Sequence, residues 1–209
     1  MGLAKLKPYY TVENYLEIDR ASEERYEYLD GEIYLMAGES GAHGDICTNL
    51  VSELRVQLKN SPCRARSKDT KVRSTGIIRP SVTTKGMFSY PDLVVICGAP
   101  QYHDEVTDMI LNPAVIAEVL SESTEKFDRG EKFERYRLWN PTLTDYLLIS
   151  QDKPLVEHYT RQPDGSWLLR EHRGLDANLS VESIRCNLKL AEIFDRVEFP
   201  NDFDDEIAD

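Results

Sequence analysis

Apolar positions recur along this chain with two different periods, and the switches between them mark its elements. Residues 11–19 (TVENYLEID) space Val12, Tyr15 and Leu16 as one side of a short amphipathic helix, with Thr11 as N-cap and Asn14 at the third helical position. Residues 25–36 (RYEYLDGEIYLM) alternate about Asp30-Gly31, a strong turn pair, and predict a hairpin. That hairpin has Tyr26 and Tyr28 on one face and Glu27 with Arg25 on the other. Residues 40–59 carry Ile46, Leu50, Val51, Leu54 and Leu58 at helical spacing and predict the first long helix, starting near His43 to Asp45. Residues 63–75 alternate poorly and read as one partly exposed strand. Arg79-Pro80, in the connection that follows, excludes a continuous central strand there.

Two later runs are apolar and β-branched, and each holds one acid against its own pattern. Asp92 interrupts residues 88–97 (FSYPDLVVIC), and Glu118 sits inside residues 114–120 (AVIAEVL). A carboxylate in a buried strand is costly unless something pairs with it. Two carboxylates brought to about 4 Å repel by roughly 4 kcal/mol at an effective dielectric of about 20, and a divalent cation between them turns that penalty into binding energy. The insertion at 98–112 is short for a helical crossover, so the two strands read as a hairpin. A helix follows, with Asp128 as N-cap, Glu131 at its third position and Asn140-Pro141 at its end. Asp128, Lys132 and Tyr136 share one face of it at i, i+4 and i+8. Acids on adjacent strands and a lysine on the next helix point to a metal-dependent hydrolytic site.

Strands are expected at 143–150, 156–161 and 167–173, with Pro163-Asp164-Gly165 turning between the last two, and a closing helix at 188–197. The order describes a mixed α/β fold around one sheet, a single domain over 1–197, and a loose acidic tail over 198–209.

Composition narrows the function. A 209-residue chain with 41% hydrophobic and 30% charged residues suits one soluble domain. No apolar run approaches the ~18 residues of a membrane span, and the N-terminus lacks the apolar core of a secretory signal. Cys47, Cys63, Cys97 and Cys186 form no C-x-x-C pair, and Cys97 reads as a core thiol in a reducing, cytoplasmic compartment. The net charge of −12, still −6 without the tail, argues against an extended non-specific grip on nucleic acid. Any such contact falls to a local patch, best supplied by Arg64, Arg66, Lys68, Lys71 and Arg73. No G-x-x-x-x-G-K-[ST] loop and no G-x-S-x-G elbow occurs, which excludes a P-loop enzyme and disfavours a serine hydrolase.

The segments YEYLDGEI, the helix opening at His43, SYPDLVVICG, AEVLSEST and DRGEKFERYR, in that order, resemble the PD-(D/E)XK nuclease superfamily. More closely, they resemble its bacterial restriction-endonuclease-like family, over more than half the chain. The resemblance implies a restriction-endonuclease-like fold, with a mixed central sheet flanked by helices, an N-terminal helix-hairpin and a C-terminal hairpin. It also implies hydrolysis of DNA phosphodiesters with Mg²⁺ or Mn²⁺. Asp92 and Glu118 match the motif acids and, with the Val119 carbonyl, are the implied metal ligands. The motif lysine is missing, since Leu120 stands in its place; the family's displaced lysine corresponds to Lys132. Glu27 is a candidate third acid, or else a cross-strand partner of a basic residue. His43 is a helix-start residue or a catalytic one, and Lys132 could equally be the i+4 partner of Asp128. A homodimer is expected, because cutting both strands takes two sites. A catalytically silent nucleic-acid- or protein-binding module, or a small-phosphoester hydrolase, would fit the same frame.

Overall fold

The structure is a computed structural model that describes residues 9–36, 38–75 and 85–200. Helix α1 (Val12–Ala21) opens as expected, with Thr11 Oγ1 accepting from the Asn14 amide at 3.2 Å. Strands β1 (Tyr26–Leu29) and β2 (Glu32–Leu35) form the hairpin. Its turn needs left-handed backbone at Asp30 (φ 47°) and Gly31 (φ 98°), which Asp and Gly tolerate. Helix α2 (Gly41–Gln57) begins slightly earlier than its apolar spacing suggests, because Ser40 caps it by accepting from the His43 amide at 3.1 Å.

Two expected strands are each broken in two. The stretch after α2 forms β3 (Cys63–Ser67) and β4 (Lys71–Ser74), which lie in different sheets. Pro91 likewise separates β5 (Met87–Ser89) from β6 (Leu93–Cys97), again in different sheets. Among the described residues two mixed sheets therefore stand where one was expected. A five-stranded sheet runs β2-β1-β5-β4-β7, with β7 at Met109–Ile110. A six-stranded sheet runs β11-β10-β9-β8-β6-β3 and includes β8 (Val115–Leu120), β9 (Asp145–Ser150), β10 (Leu155–Arg161) and β11 (Trp167–Arg173). The expected hairpin of β6 with β8 is present and antiparallel, whereas β8 and β9 are parallel. A parallel pair needs a crossover, and here it is helical: α3 (Glu125–Phe127), a π-turn (Asp128–Lys132) and α4 (Phe133–Trp139). Asp128 is thus no N-cap. It lies buried inside the helix, whose first residue is Glu125.

Both faces of the larger sheet are apolar. Leu93, Val95, Val115, Ala117 and Val119 pack on α2, while Val94, Ile96, Ile116 and Leu120 pack with Phe133 and Tyr136 of α4. The C-terminal end differs from expectation. The segment read as a helix is β13 (Cys186–Lys189) followed by the short α5 (Leu190–Ile193), and β13 pairs with an unanticipated β12 (Asn178–Val181). This ribbon covers the α2 side of the sheet. Cys97 is not a free thiol: it stands opposite Cys63 across β6 and β3, and the two are joined as a disulfide. Arg79-Pro80 and residues 201–209 of the tail lie outside the described residues.

Candidate active site

The break at Pro91 puts Asp92 at the mouth of β6. Leu93 faces Ala117 in the antiparallel register, so the next step along sets Asp92 against Glu118. The half-buried Asp92 is firmly held. Its Oδ2 accepts from the Val119 amide at 2.8 Å, and its Oδ1 lies 2.9 Å from His43 Nε2. Glu118 alternates onto the same face as Ile116 and Leu120, turned toward the crossover helix. It is only 3% exposed.

The crossover supplies the positive charge. Lys132 Nζ sits 2.9 Å from Glu118 Oε1, 3.2 Å from Asp128 Oδ1 and 3.9 Å from Glu27 Oε1. Tyr136, one turn on, donates its hydroxyl to Glu118 Oε1 at 3.3 Å and shares a 2.8 Å hydrogen bond with Ser89 Oγ. The π-turn leaves backbone groups out of α-helical register, and the Tyr146 hydroxyl donates to the Asp128 carbonyl there at 2.9 Å. Glu27 comes from β1, whose tyrosine Tyr28 packs into the small-sheet core on the opposite face. The Tyr90 amide fixes it by donating to Oε1 at 2.9 Å. Glu27, Asp92, Glu118, Asp128 and Lys132 therefore converge from four separate segments.

Electrostatics follow from this enclosure. Burial pushes the Glu118 carboxyl well above the usual range, and the charges of Asp128 and Asp92 add to that, while Lys132 opposes it. Burial works against the Lys132 ammonium, but Glu118, Glu27 and Asp128 outweigh it and hold Lys132 well above its ordinary value. Burial also works against a charged His43, and the bond and charge of Asp92 outweigh it, so His43 is raised.

Three carboxylates surround the Lys132 ammonium, and a fourth, Asp92, is held against the His43 imidazole. That surplus of hard oxygen donors and negative charge fits Mg²⁺ or Mn²⁺ rather than a softer ion.

The basic stretch is divided by the strand break. Arg64 on β3 is exposed, Arg66 donates to the Tyr102 hydroxyl at 2.9 Å, and Lys68 pairs with Glu39. Lys71 and Arg73 belong to the other sheet. Lys71 is buried against Asp19 and Asp108, and Arg73 donates to His103 Nδ1 at 2.9 Å. Arg64, Arg66 and Lys68 are what remains of the expected patch. The positioning roles of Tyr90 and Ser89, and the π-turn itself, escaped the reading of the sequence. A glycine inside the helical pattern, Gly130, is the one local sign of the turn.

Relatives cover nearly the whole chain. One uncharacterized protein of Synechocystis sp. is 32% identical over 195 residues, spanning 93% of this chain and 94% of the relative. A second uncharacterized protein from the same organism is 34% identical over 175 residues, spanning 84% of this chain and 94% of the relative. Among solved structures, "a putative nuclease belonging to DUF820" from Anabaena variabilis has the same fold. It matches with a TM-score of 0.68 at 19% identity, over 88% of this chain and 97% of its own. The Uma2 family model, described as "Putative restriction endonuclease", matches residues 12–192, and the chain belongs to this restriction-endonuclease-like family.

Proposed function

We propose that the chain is a divalent-metal-dependent endonuclease hydrolysing DNA phosphodiester bonds and acting as a homodimer. The observation that carries the reading is the 2.9 Å approach of Lys132 Nζ to Glu118 Oε1, which returns to the second motif acid the lysine its own strand lacks at Leu120. Asp92, Glu118 and the Val119 carbonyl would hold Mg²⁺ or Mn²⁺, which supplies an activated water and polarises the scissile phosphate. Lys132 is assigned to offset charge developing on the phosphate oxygens. Glu27, fixed by the Tyr90 amide and 3.9 Å from Lys132, is assigned to accept a proton from the attacking water. His43 steadies Asp92 through its 2.9 Å bond and is a positioning residue. Arg64 and Arg66 on the edge strand β3 are the assigned phosphate contacts.

The test is cleavage of supercoiled, linear and single-stranded DNA with Mg²⁺, with Mn²⁺ and with chelator. Cleavage should require an ion and should fall at least about 100-fold in Asp92→Asn and Glu118→Gln. Parental rates in folded Glu118→Gln would sink the assignment. A folded parent that binds DNA but leaves every form intact with both ions would identify a binding module instead.

A further inference from the structure

A second group of metal-capable side chains lies behind Asp92, on the α2 side. Glu39 just precedes the N-cap of α2, and His43 and Cys47 stand one turn apart on its first two turns, along one helix face. One ligand atom from each residue lies within 4.8 Å of the other two. Glu39 folds back over the helix start, where a β-carbon on Gly44 would stand 3.6 Å from its Oε1. Cys47 is buried and unbonded to another cysteine, His43 is largely covered, and Glu39 reaches solvent.

We propose that Glu39, His43 and Cys47 form a second metal site, selective for a borderline-soft divalent cation of the zinc type. The donor set is the reason. A thiolate and an imidazole suit Zn²⁺ or Co²⁺ and disfavour Mg²⁺, whereas the Asp92–Glu118 group offers only hard oxygens. Bonds of about 2.0–2.3 Å around a tetrahedral ion set its ligands roughly 3.5 Å apart. Atoms already within 4.8 Å thus need only side-chain adjustment to close.

The outer shell fits as well. A ligating histidine commonly gives its other ring nitrogen to a carboxylate, which fixes the ring and raises its basicity. His43 Nε2 lies 2.9 Å from Asp92 Oδ1, which leaves Nδ1 for a metal. Asp92 would then orient a ligand of one site while serving the other. The three side chains leave a fourth position open to water or an external ligand. Binding releases the Cys47 thiol proton to solvent as the metal–sulfur bond forms. It must also displace the Lys68 ammonium from Glu39, the cation that pairs with this group.

Titration with CoCl₂, followed by its thiolate charge-transfer absorption, and competition with ZnCl₂ test the proposal. The parent should take up one Co²⁺ per chain that carries a sulfur band, apart from any held without one at the acid pair, and Zn²⁺ should displace it. Glu118→Gln should keep both properties. Cys47→Ser should lose the band and bind Zn²⁺ at least about tenfold more weakly. Lys68→Ala should bind Zn²⁺ more tightly, since a competing cation is gone. If Cys47→Ser melts early, the exposed Glu39→Gln carries the same expectation of weakened binding. A parent without the sulfur band overturns the proposal, as does parental Zn²⁺ affinity in both Cys47→Ser and Glu39→Gln. Loss of the band in folded Glu118→Gln also overturns it, by tying the metal to the acid pair; the endonuclease reading would survive that result.

Discussion

Lys132→Met removes the ammonium but keeps an apolar stem of similar length, so it isolates the charge from the packing. Lys132 is 5% exposed, Glu118 3% and Asp128 3%, and the lysine lies 2.9 Å and 3.2 Å from the two acids. An exposed i+4 pair of this kind would be worth less than about 1 kcal/mol. Here the substitution leaves two buried carboxylates without their counter-charge, and breaking a buried pair from one side costs about 3–5 kcal/mol. For a domain of this size each kcal/mol moves the melting temperature by about 2–4 °C, so a drop of about 6–20 °C is expected. Urea unfolding of the parent, Lys132→Met, Glu118→Gln and the double variant measures the effect. The double variant should recover much of the loss, because Gln at 118 no longer needs the ammonium, and the coupling should exceed about 1 kcal/mol. Spectroscopic checks of the native baseline keep the comparison to folded protein. A Lys132→Met chain losing less than about 1 kcal/mol would refute the reasoning. Lys132 would then be holding no buried charge, and its closeness to Glu118 would carry no energetic argument for a site.

Three further outcomes follow from particular side chains. Burial opposes a charged Asp30, but the Arg135 guanidinium and the Gly86 amide outweigh it and hold the carboxyl at about 2. Its contribution should be full above 3.8 and fade as pH falls toward 2. Asp30→Asn, which tolerates the positive φ, should cost about 1 kcal/mol at neutral pH after allowance for solvent screening and flatten that acid limb in pH-dependent unfolding. Tyr136→Phe removes hydrogen bonds to Glu118 and Ser89, so chemical denaturation should show a loss of about 1–2 kcal/mol with the fold intact. Charge reversal at Arg64, Arg66 and Lys68 should weaken DNA binding and flatten its log–log salt dependence by about 0.9 for each phosphate no longer neutralised, and an unchanged slope would move the DNA-facing surface elsewhere.

What the sequence made legible was local. Glu118 stood out because one acid in a run of apolar residues has few explanations, and the Asp30-Gly31 hairpin and the Thr11 cap followed from their own neighbours. The missing pieces depend on partners far along the chain. Lys71 looked like part of a solvent-facing basic strand, and its burial is made tolerable by Asp19 and Asp108, brought up from two other segments. The strand holding Asp92 read as continuous because its apolar run crosses Pro91, but a proline without an amide hydrogen suits the point where the chain leaves one sheet for another. Asp128 has the residue type of an N-cap, and nothing nearby reveals that the helix starts earlier and loosens into a π-turn around it. Glu27 shows the same dependence most sharply. By alternation it was one polar residue in a hairpin, and the amide that fixes it belongs to Tyr90, 63 positions later. Its bond ties the small sheet to the strand break that carries Asp92. A substitution that shifts the hairpin, such as Gly31→Val at φ 98°, is therefore expected to disturb the acid cluster without touching any of its members.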